Sequence, residues 1–185
     1  ILFTPDEEIG SPSSSALFSN IAKRHHLGLI YEPSFADGNL AGARKGSGNF
    51  AVVAKGKAAH AGREHHLGRN AIRHMADFTS ALDSLNGQQQ GITINPGFIQ
   101  GGGAVNIVPD TCTMRFNIRI EHSEQQAWCE AQIASILTTI NATDGITMEL
   151  HGGFGRAPKV LSPANEALCE LVQSCGKSLG LALDF

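Results

Sequence analysis

Residues 111–120 alternate strictly between apolar and polar side chains, which is the pattern of a β-strand with one buried face. The apolar positions are Cys112, Met114, Phe116, Ile118 and Ile120, and the polar positions are Thr111, Thr113, Arg115, Asn117 and Arg119. A sheet built around this strand needs a hydrophobic cover on one side only. Its polar side must therefore meet water, a partner or a ligand.

The sequence around this strand predicts the order β-α-β-β-α-β. The strands are expected at 50–57, 91–100, 111–120 and around 146–150, with helices at 70–85 and from Ser123 onward. The first helix has helical spacing of Ile72, Met75, Phe78, Leu82 and Leu85. The second begins with a capping box, Ser123 with Gln126, and carries the stripe Trp128, Ala131, Ala134 and Leu137. This order is typical of a ferredoxin-like fold, with both helices on one face of a four-stranded sheet.

The sequence before this unit places carboxylates at the ends of two predicted strands. The apolar run Ile1–Phe3 leads into Asp6-Glu7-Glu8. Ser11 as N-cap, followed by Pro12 in the first turn, then predicts a helix reaching His26. A second apolar run, Leu27–Tyr31, delivers Glu32 at its end. A strand, an acidic turn and a helix place ligands at the carboxyl edge of an α/β sheet. Adjacent carboxylates repel one another unless a cation or a shared proton offsets their charge. The alternative is an acidic turn that is simply solvated.

After the predicted ferredoxin-like unit, Ser162-Pro163 predicts another helix start, and Leu181–Phe185 predicts the beginning of a strand. The two outer segments are expected to be pieces of one domain that the central unit interrupts. We therefore predict domains at 1–46, 47–156 and 157–185, the first and last forming one partial α/β domain. A sequence that starts and stops within predicted strands is expected to be a fragment.

Four motifs in this order resemble the di-zinc peptidase family of glutamate carboxypeptidases, acetylornithine deacetylases, succinyl-diaminopimelate desuccinylases and aminoacylases. The motifs are Pro5-Asp6-Glu7-Glu8-Ile9-Gly10-Ser11, Tyr31-Glu32-Pro33, Gly56-Lys57-Ala58-Ala59-His60-Ala61-Gly62 and Asn106-Ile107-Val108-Pro109. The resemblance implies an α/β fold class: part of a phosphorylase/hydrolase-like zinc-peptidase catalytic domain with an inserted ferredoxin-like dimerisation (lid) domain. It also implies a homodimer formed through that insert.

The resemblance also implies roles for the acidic residues. Glu7 corresponds to the general base, and Glu8 and Glu32 correspond to ligands of the two zinc ions. The family's site further needs a His and a bridging Asp upstream and a His downstream, which this sequence does not contain. Since catalytic zinc usually has three protein ligands, the chain is expected to bind zinc weakly or not at all and to be inactive as given.

Four further residues match substrate-contacting positions of the family. His60 corresponds to a histidine that reaches the opposite subunit and stabilises the tetrahedral oxyanion, and Asn106 to a substrate-contacting asparagine. Arg119 corresponds to an arginine that holds the substrate carboxylate, and Arg156 is a weaker candidate for the same task. Without the resemblance, His60 would be a surface residue and Arg119 part of a solvated strand face.

Composition excludes some classes of partner. The formal net charge of -3 comes with scattered basic residues, which argues against nucleic acid. The longest apolar runs fall far short of a membrane span. All four cysteines (Cys112, Cys129, Cys169 and Cys175) occupy apolar positions of predicted elements and are expected to be buried free thiols. This favours a cytoplasmic protein and leaves a periplasmic or secreted one open.

The sequence therefore predicts a zinc-dependent amide hydrolase acting on small peptides or N-acyl amino acids. A biosynthetic N-acyl amino acid deacylase of the same family is one alternative. A non-catalytic dimerisation module with vestigial carboxylates is the other. The missing His and Asp ligands would separate the enzyme from the module.

Overall fold

The computed structural model describes residues 1–31 and 36–185 of the chain. Its elements in chain order are α1 (Ser15–Ala22), β1 (Gly46–Lys55), α2 (Ala71–Asp83), β2 (Thr93–Gly101), β3 (Thr111–Ile120), α3 (Glu124–Asn141), β4 (Thr147–Arg156) and α4 (Pro163–Ser178). Two short 3-10 turns lie at Glu7–Ile9 and His65–Leu67. The chain divides into a central unit, residues 43–160, and an outer unit made of 1–42 and 161–185.

The central unit has the predicted ferredoxin-like fold. Its four strands form one antiparallel sheet in the order β2-β3-β1-β4, so the middle strands β3 and β1 separate the two edges. Strand β3 runs from Thr111 to Ile120 as the alternating pattern predicts. Two irregularities interrupt the ladders: β2 has a bulge between Pro96 and Phe98, and the β1–β4 pairing shifts between Ser47 and Gly48.

The hydrophobic core lies between one face of this sheet and the helices α2 and α3. Every apolar residue of β3 is buried there, and α2 adds Met75, Phe78 and Leu82. Phe50 stacks on Phe116 with ring centroids 5.0 Å apart. The opposite face of the sheet has no helix of the central unit on it, and we call it the open face. It carries Thr113, Arg115, Asn117 and Arg119 of β3, whose side chains are half-buried or exposed.

The predicted helix faces were partly wrong. Helix α3 buries Cys129, Ile133 and Ile140, whereas Ala131 and Ala134 are exposed. The larger apolar side chains gain more from burial than the alanines do, and they set the rotation of the helix. In α2 the predicted core residue Ile72 is exposed, whereas its neighbour Ala71 is buried, because the helix turns the face of Ala71, Met75, Phe78 and Leu82 toward the sheet.

Of two predicted helix starts, the structure confirms one and contradicts the other. Ser162 caps α4 by accepting a hydrogen bond from Asn165 N, which confirms the Ser-Pro start. The predicted capping box of Ser123 with Gln126 is wrong, since the Ser123 side chain makes no cap bond. Gln125 Oε1 instead accepts hydrogen bonds from the backbone N–H groups of Glu121 and His122, at 2.8 and 3.0 Å.

On each edge strand, the outward backbone groups of one residue near the start bond to an asparagine side chain, from the turn after α2 in one case and from the last residue of α3 in the other. Asn86 accepts a hydrogen bond from Ile94 N and donates one to Ile94 O, both at 2.8 Å. Asn141 repeats this on the other edge: it accepts from Met148 N at 2.6 Å and donates to Met148 O at 3.1 Å. A side-chain amide thus satisfies the outward backbone groups that would otherwise invite another strand.

The outer unit differs more from the sequence-based expectations. The segments 1–3, 27–31 and 181–185, which were predicted to be strands, have no strand structure in the described part of the chain. The tail at 181–185 packs through single hydrogen bonds, such as Leu40 N to Asp184 O at 2.8 Å, rather than through a ladder. Helix α1 covers Ser15–Ala22 instead of the predicted 12–26.

The cysteines are all free, but only two are buried. Cys112 and Cys129 lie in the core, and burial raises the pKa of the Cys129 thiol to about 11 with a smaller contribution from Glu130. Cys169 is half-buried and Cys175 is exposed, so the prediction of burial was wrong for Cys175 and only partly correct for Cys169. Among the described helices, none combines the length and the hydropathy of a membrane span.

Candidate functional site

The acidic turn separates its three carboxylates into one structural and two exposed groups. Asp6 is buried and accepts hydrogen bonds from Ser14 Oγ at 2.5 Å, Ser13 N at 2.8 Å and Ser14 N at 3.0 Å. The Ser14 hydroxyl is the largest cause that holds the pKa of Asp6 below its ordinary value; burial opposes it and the two N–H groups assist it. Asp6 therefore does the capping that was predicted for Ser11, which instead has a φ of 55°.

Glu7 and Glu8 follow on a single 3-10 turn, and both side chains are exposed. Gly10 ends this turn with a φ of 89°, and its N–H donates to Glu7 O at 2.8 Å. With Asp6 held by Ser13 and Ser14, these two are the acids of the turn that remain available to a metal or a substrate. Glu32, the other predicted ligand, lies outside the described residues.

The donor chemistry of this turn fits a contribution to a zinc site but does not complete one. Carboxylate oxygens are common zinc ligands, and a catalytic zinc usually takes three ligands from the protein. Within residues 1–31 and 36–185, no three His, Cys, Asp or Glu side chains gather closely enough to hold a metal ion.

His60 lies in the loop after β1, and its ring is held by the backbone that follows it. Its Nδ1 atom accepts hydrogen bonds from Gly62 N and Arg63 N, both at 3.1 Å. An imidazole nitrogen that accepts two N–H groups carries no proton, so the neutral ring has its proton on Nε2. The exposed side chain thus presents an Nε2–H donor to its surroundings.

Asn106 lies beside His60, because the two loops are joined by backbone hydrogen bonds. Ala61 N donates to Asn106 O at 2.9 Å, Val108 N donates to Ala59 O at 2.9 Å, and His60 forms a bridge with Ile107. Residues 101–104 and 107–110 of the second loop line an open groove of about 550 Å³, whose lining includes neither His60 nor Asn106. The structure therefore brings His60 and Asn106 together at the end of the sheet where β1 and β2 finish.

Arg119 and Arg156 lie at the opposite end of the sheet. Ser47, at the start of β1, is paired in register with Arg119 on β3 and with Arg156 on β4, so the two arginines flank one buried serine. Both arginine side chains are exposed. The Nε–H group of Arg119 donates to Asn117 Oδ1 at 2.8 Å, a contact that no motif of the sequence indicates.

The two groups of candidate substrate residues are too far apart to share one small ligand within one chain. Strand β1 has ten residues and separates them by about 30 Å at roughly 3.3 Å per residue. A single amino-acid-sized molecule cannot span this distance. A site that uses all four residues must combine one end of this sheet with the other end of a second sheet.

The remaining histidines do not form a cluster with these residues in the described part of the chain. His74 is half-buried on α2, and its pKa is lowered first by burial and then by the positive charge of Arg73.

Comparison with known proteins finds similarities to peptidases over much of the chain. The family model of the peptidase dimerisation domain matches residues 42–145. A probable carboxypeptidase of Aspergillus clavatus is 35% identical over 133 residues, which cover 65% of this chain and 31% of that protein. Carboxypeptidase G2 of a Pseudomonas species is 30% identical over 125 residues, covering 67% of this chain and 30% of the relative. The chain thus spans about a third or less of the length of these relatives.

Solved structures match the fold. Aminopeptidase PepT from Bacillus cereus superposes with a TM-score of 0.66 at 20% identity, over 77% of this chain and 38% of that one. A tripeptidase from Staphylococcus aureus superposes with a TM-score of 0.65 at 24% identity, with the same coverage. Together with the profile match over more than half of its residues, these findings show that the chain belongs to the M20 metallopeptidase family and carries that family's peptidase dimerisation domain.

Proposed function

We propose that this chain is part of a zinc-dependent hydrolase that cleaves an amide bond next to a carboxylate-bearing residue, as in small peptides or N-acyl amino acids. The observation that carries the proposal is the placement of His60 with Asn106 at one end of the sheet and of Arg119 with Arg156 at the other. Such a division suits a site shared between two subunits. Carboxypeptidases and a p-aminobenzoyl-glutamate hydrolase subunit homologue among the relatives support the reaction class.

In this proposal Glu7 is the general base, and Glu8 and Glu32 are ligands of separate zinc ions. When bound, zinc would polarise the amide carbonyl and lower the pKa of a coordinated water. Glu7 would take the proton of the attacking water and pass it to the leaving amine. The exposure of Glu7 and Glu8 and the structural use of Asp6 support this division of the acidic turn.

The substrate would be held by residues of both subunits. Arg119 and Arg156 offer guanidinium groups that suit a carboxylate, and guanidinium binds carboxylates in a bidentate manner. His60 from the second subunit would donate its Nε2–H to the carbonyl oxygen as negative charge develops there. The hydrogen bonds from Gly62 and Arg63 to Nδ1 hold the ring in the tautomer that this role requires.

We propose that the homodimer forms through the second half of β2. Asn86 closes this edge at Ile94, and Pro96 has no N–H to donate, so the open part of the strand is 97–101. Two apolar side chains, Phe98 and Ile99, are exposed there at 37% and 52%. Antiparallel pairing of two copies about a two-fold axis would place the Arg119 end of one sheet beside the loops of His60 and Asn106 of the other.

The test is subunit complementation in the complete polypeptide that carries these residues, with hydrolysis of p-aminobenzoyl-glutamate as the readout. His60→Ala and Arg119→Ala should each abolish turnover. Mixed and reassociated, the two variants should regain about a quarter of the wild-type activity. This follows because half of the molecules become heterodimers, and each of these has one intact site.

Two results would contradict the proposal in different ways. If mixing restores no activity while each variant still dimerises, the shared site is wrong. If the unaltered complete polypeptide binds no zinc and hydrolyses neither peptides nor N-acyl amino acids, the non-catalytic dimerisation module is the better description. Preference for N-acetylornithine over p-aminobenzoyl-glutamate would instead favour a biosynthetic deacylase.

A further inference from the structure

Asn117 makes a two-sided bridge on the open face of the sheet. Its Oδ1 accepts the Nε–H of Arg119 at 2.8 Å. Its Nδ2 group donates toward Gly48 O at 2.9 Å and Asn49 Oδ1 at 2.7 Å, with Ser47 Oγ at 3.2 Å. The side chain therefore connects Arg119 to the first residues of β1.

The orientation of the Asn117 amide follows from its partners. Arg119 Nε carries a hydrogen and has no lone pair to offer, so the amide oxygen must face it. Gly48 O is an acceptor, so the amide nitrogen must face β1. A rotated amide would put a donor against a donor on one side and an acceptor against an acceptor on the other.

This bond restricts how Arg119 can hold a ligand. A guanidinium group binds a carboxylate in a bidentate manner either through Nε with one Nη or through its two Nη groups. The bond to Asn117 occupies Nε and leaves the pair of Nη groups. Neither Nη of Arg119 has a protein partner within the described residues. Arg119 is exposed, so without this anchor its long side chain would lose several rotamers on binding.

We propose that Asn117 is a positioning residue that fixes Arg119 for end-on, bidentate capture of the substrate carboxylate through its two Nη groups. This inference rests on the proposed function, in which Arg119 binds that carboxylate. Asn117 itself does not touch the ligand. Its effect is to order the Arg119 side chain before the ligand arrives, which reduces the entropy lost on binding.

The experiment uses the 185-residue chain labelled with ¹⁵N, and p-aminobenzoyl-glutamate as the probe. The Nε–H signal of Arg119, assigned by its loss in Arg119→Gln, should be shifted and protected from exchange with water. Asn117→Ala and Asn117→Val should remove that shift and protection and weaken binding of the probe about 3- to 10-fold, the range for ordering one long side chain. The valine variant suits a strand and covers the case in which the alanine variant does not fold.

Two control variants make the result specific. Asn95→Ala changes the residue paired with Asn117 on β2 and should alter neither the Arg119 signal nor the affinity. Asn117→Asp keeps an acceptor for Nε and should keep the protected signal, which a general structural effect would not predict.

The outcomes separate this inference from the proposed function. If Arg119→Gln binds the probe as well as the unaltered chain, the carboxylate role of Arg119 is wrong, and the role of Asn117 falls with it. If Arg119→Gln loses binding while both folded Asn117 variants bind normally, the proposed function stands and the positioning role is refuted.

Discussion

The asparagines at the two sheet edges allow a quantitative prediction about stability. Asn86→Ala removes two hydrogen bonds of 2.8 Å to the backbone of Ile94, and Asn141→Ala removes the equivalent pair at Met148. A hydrogen bond contributes about 0.5–1.5 kcal/mol net, and the freed edge groups can bond to water. We therefore expect each variant to lose about 1–2 kcal/mol in the free energy of unfolding.

The assay is urea unfolding followed by the fluorescence of Trp128. This is the single tryptophan of the chain, and it packs against the core of the central unit, so it reports on the unit that contains both edges. Because the edges lie on opposite sides of the sheet, the double variant should lose the sum of the two single losses within about 0.5 kcal/mol.

Asn86→Asp provides the matched control for this prediction. It can still accept from Ile94 N, but its ionised carboxylate cannot donate to Ile94 O. It would also face the Asp83 carboxylate, to which Asn86 Nδ2 donates at 3.2 Å, so this variant should be less stable than Asn86→Ala at pH 7. A loss below about 0.3 kcal/mol in both alanine variants would refute the reasoning that these amides close the edges. The same conclusion would follow if the aspartate variant were as stable as the wild type.

Four further predictions follow from the acidic turn and from His74. Ser14→Ala should lower the melting temperature at pH 7, because the lowered pKa of Asp6 contributes stability that is present above the ordinary value of 3.8. The effect should shrink as the pH falls below 3.8 and Asp6 becomes protonated in the folded state; an effect that is the same at neutral and acidic pH would contradict this. Burial disfavours the protonated ring of His74, so the wild type should lose stability as the pH falls below 6.5, the ordinary pKa of histidine. His74→Gln should reduce this loss; an unchanged pH dependence of urea unfolding would argue against it. Calorimetric titration of this 185-residue chain with zinc should reveal no tight site, and a tight one would show that its own donors suffice. In the complete polypeptide, Glu7→Gln should reduce turnover by roughly two to four orders of magnitude and keep its zinc, whereas Glu8→Gln should lose zinc; the reverse metal contents would exchange the two roles.

The parts of the fold that were predicted correctly depend on local patterns of side chains. The alternation of β3 gave its bounds and its buried face, because a period of two residues fixes both. The Ser162-Pro163 start of α4 was likewise visible, since a cap involves residues only three positions apart. The buried face of α3 was not visible in the sequence, because alanine occurs both in cores and on surfaces. Only packing against the sheet decides that Ile133 is buried and Ala134 is exposed.

The candidate site depends on contacts between distant residues, and the sequence showed less of it. Asp6 accepts from Ser14, eight positions away, so no local motif marked it as the cap of the following turn. Asn117 was assigned only to the polar face, and its contact with Asn49 spans 68 positions. Predicting the distance between His60 and Arg119 also required the strand order, because the distance depends on which ends of β1 and β3 lie together.

The two edges of the sheet differ in a way that favours a closed dimer over an open chain of subunits. On β4, Gly152 has a φ of 89°, and a Cβ there would lie 2.2 Å from Asn49 O, so the strand is irregular just beyond the residues that Asn141 closes. The segment 97–101 of β2 follows its bulge and has no further register shift. If both edges accepted a strand equally well, β2 of one copy could pair with β4 of the next, and such head-to-tail contacts propagate unless their rotation closes them into a ring. An irregular β4 edge disfavours that contact. This supports the proposed pairing of β2 with its own copy, a contact that closes after two subunits.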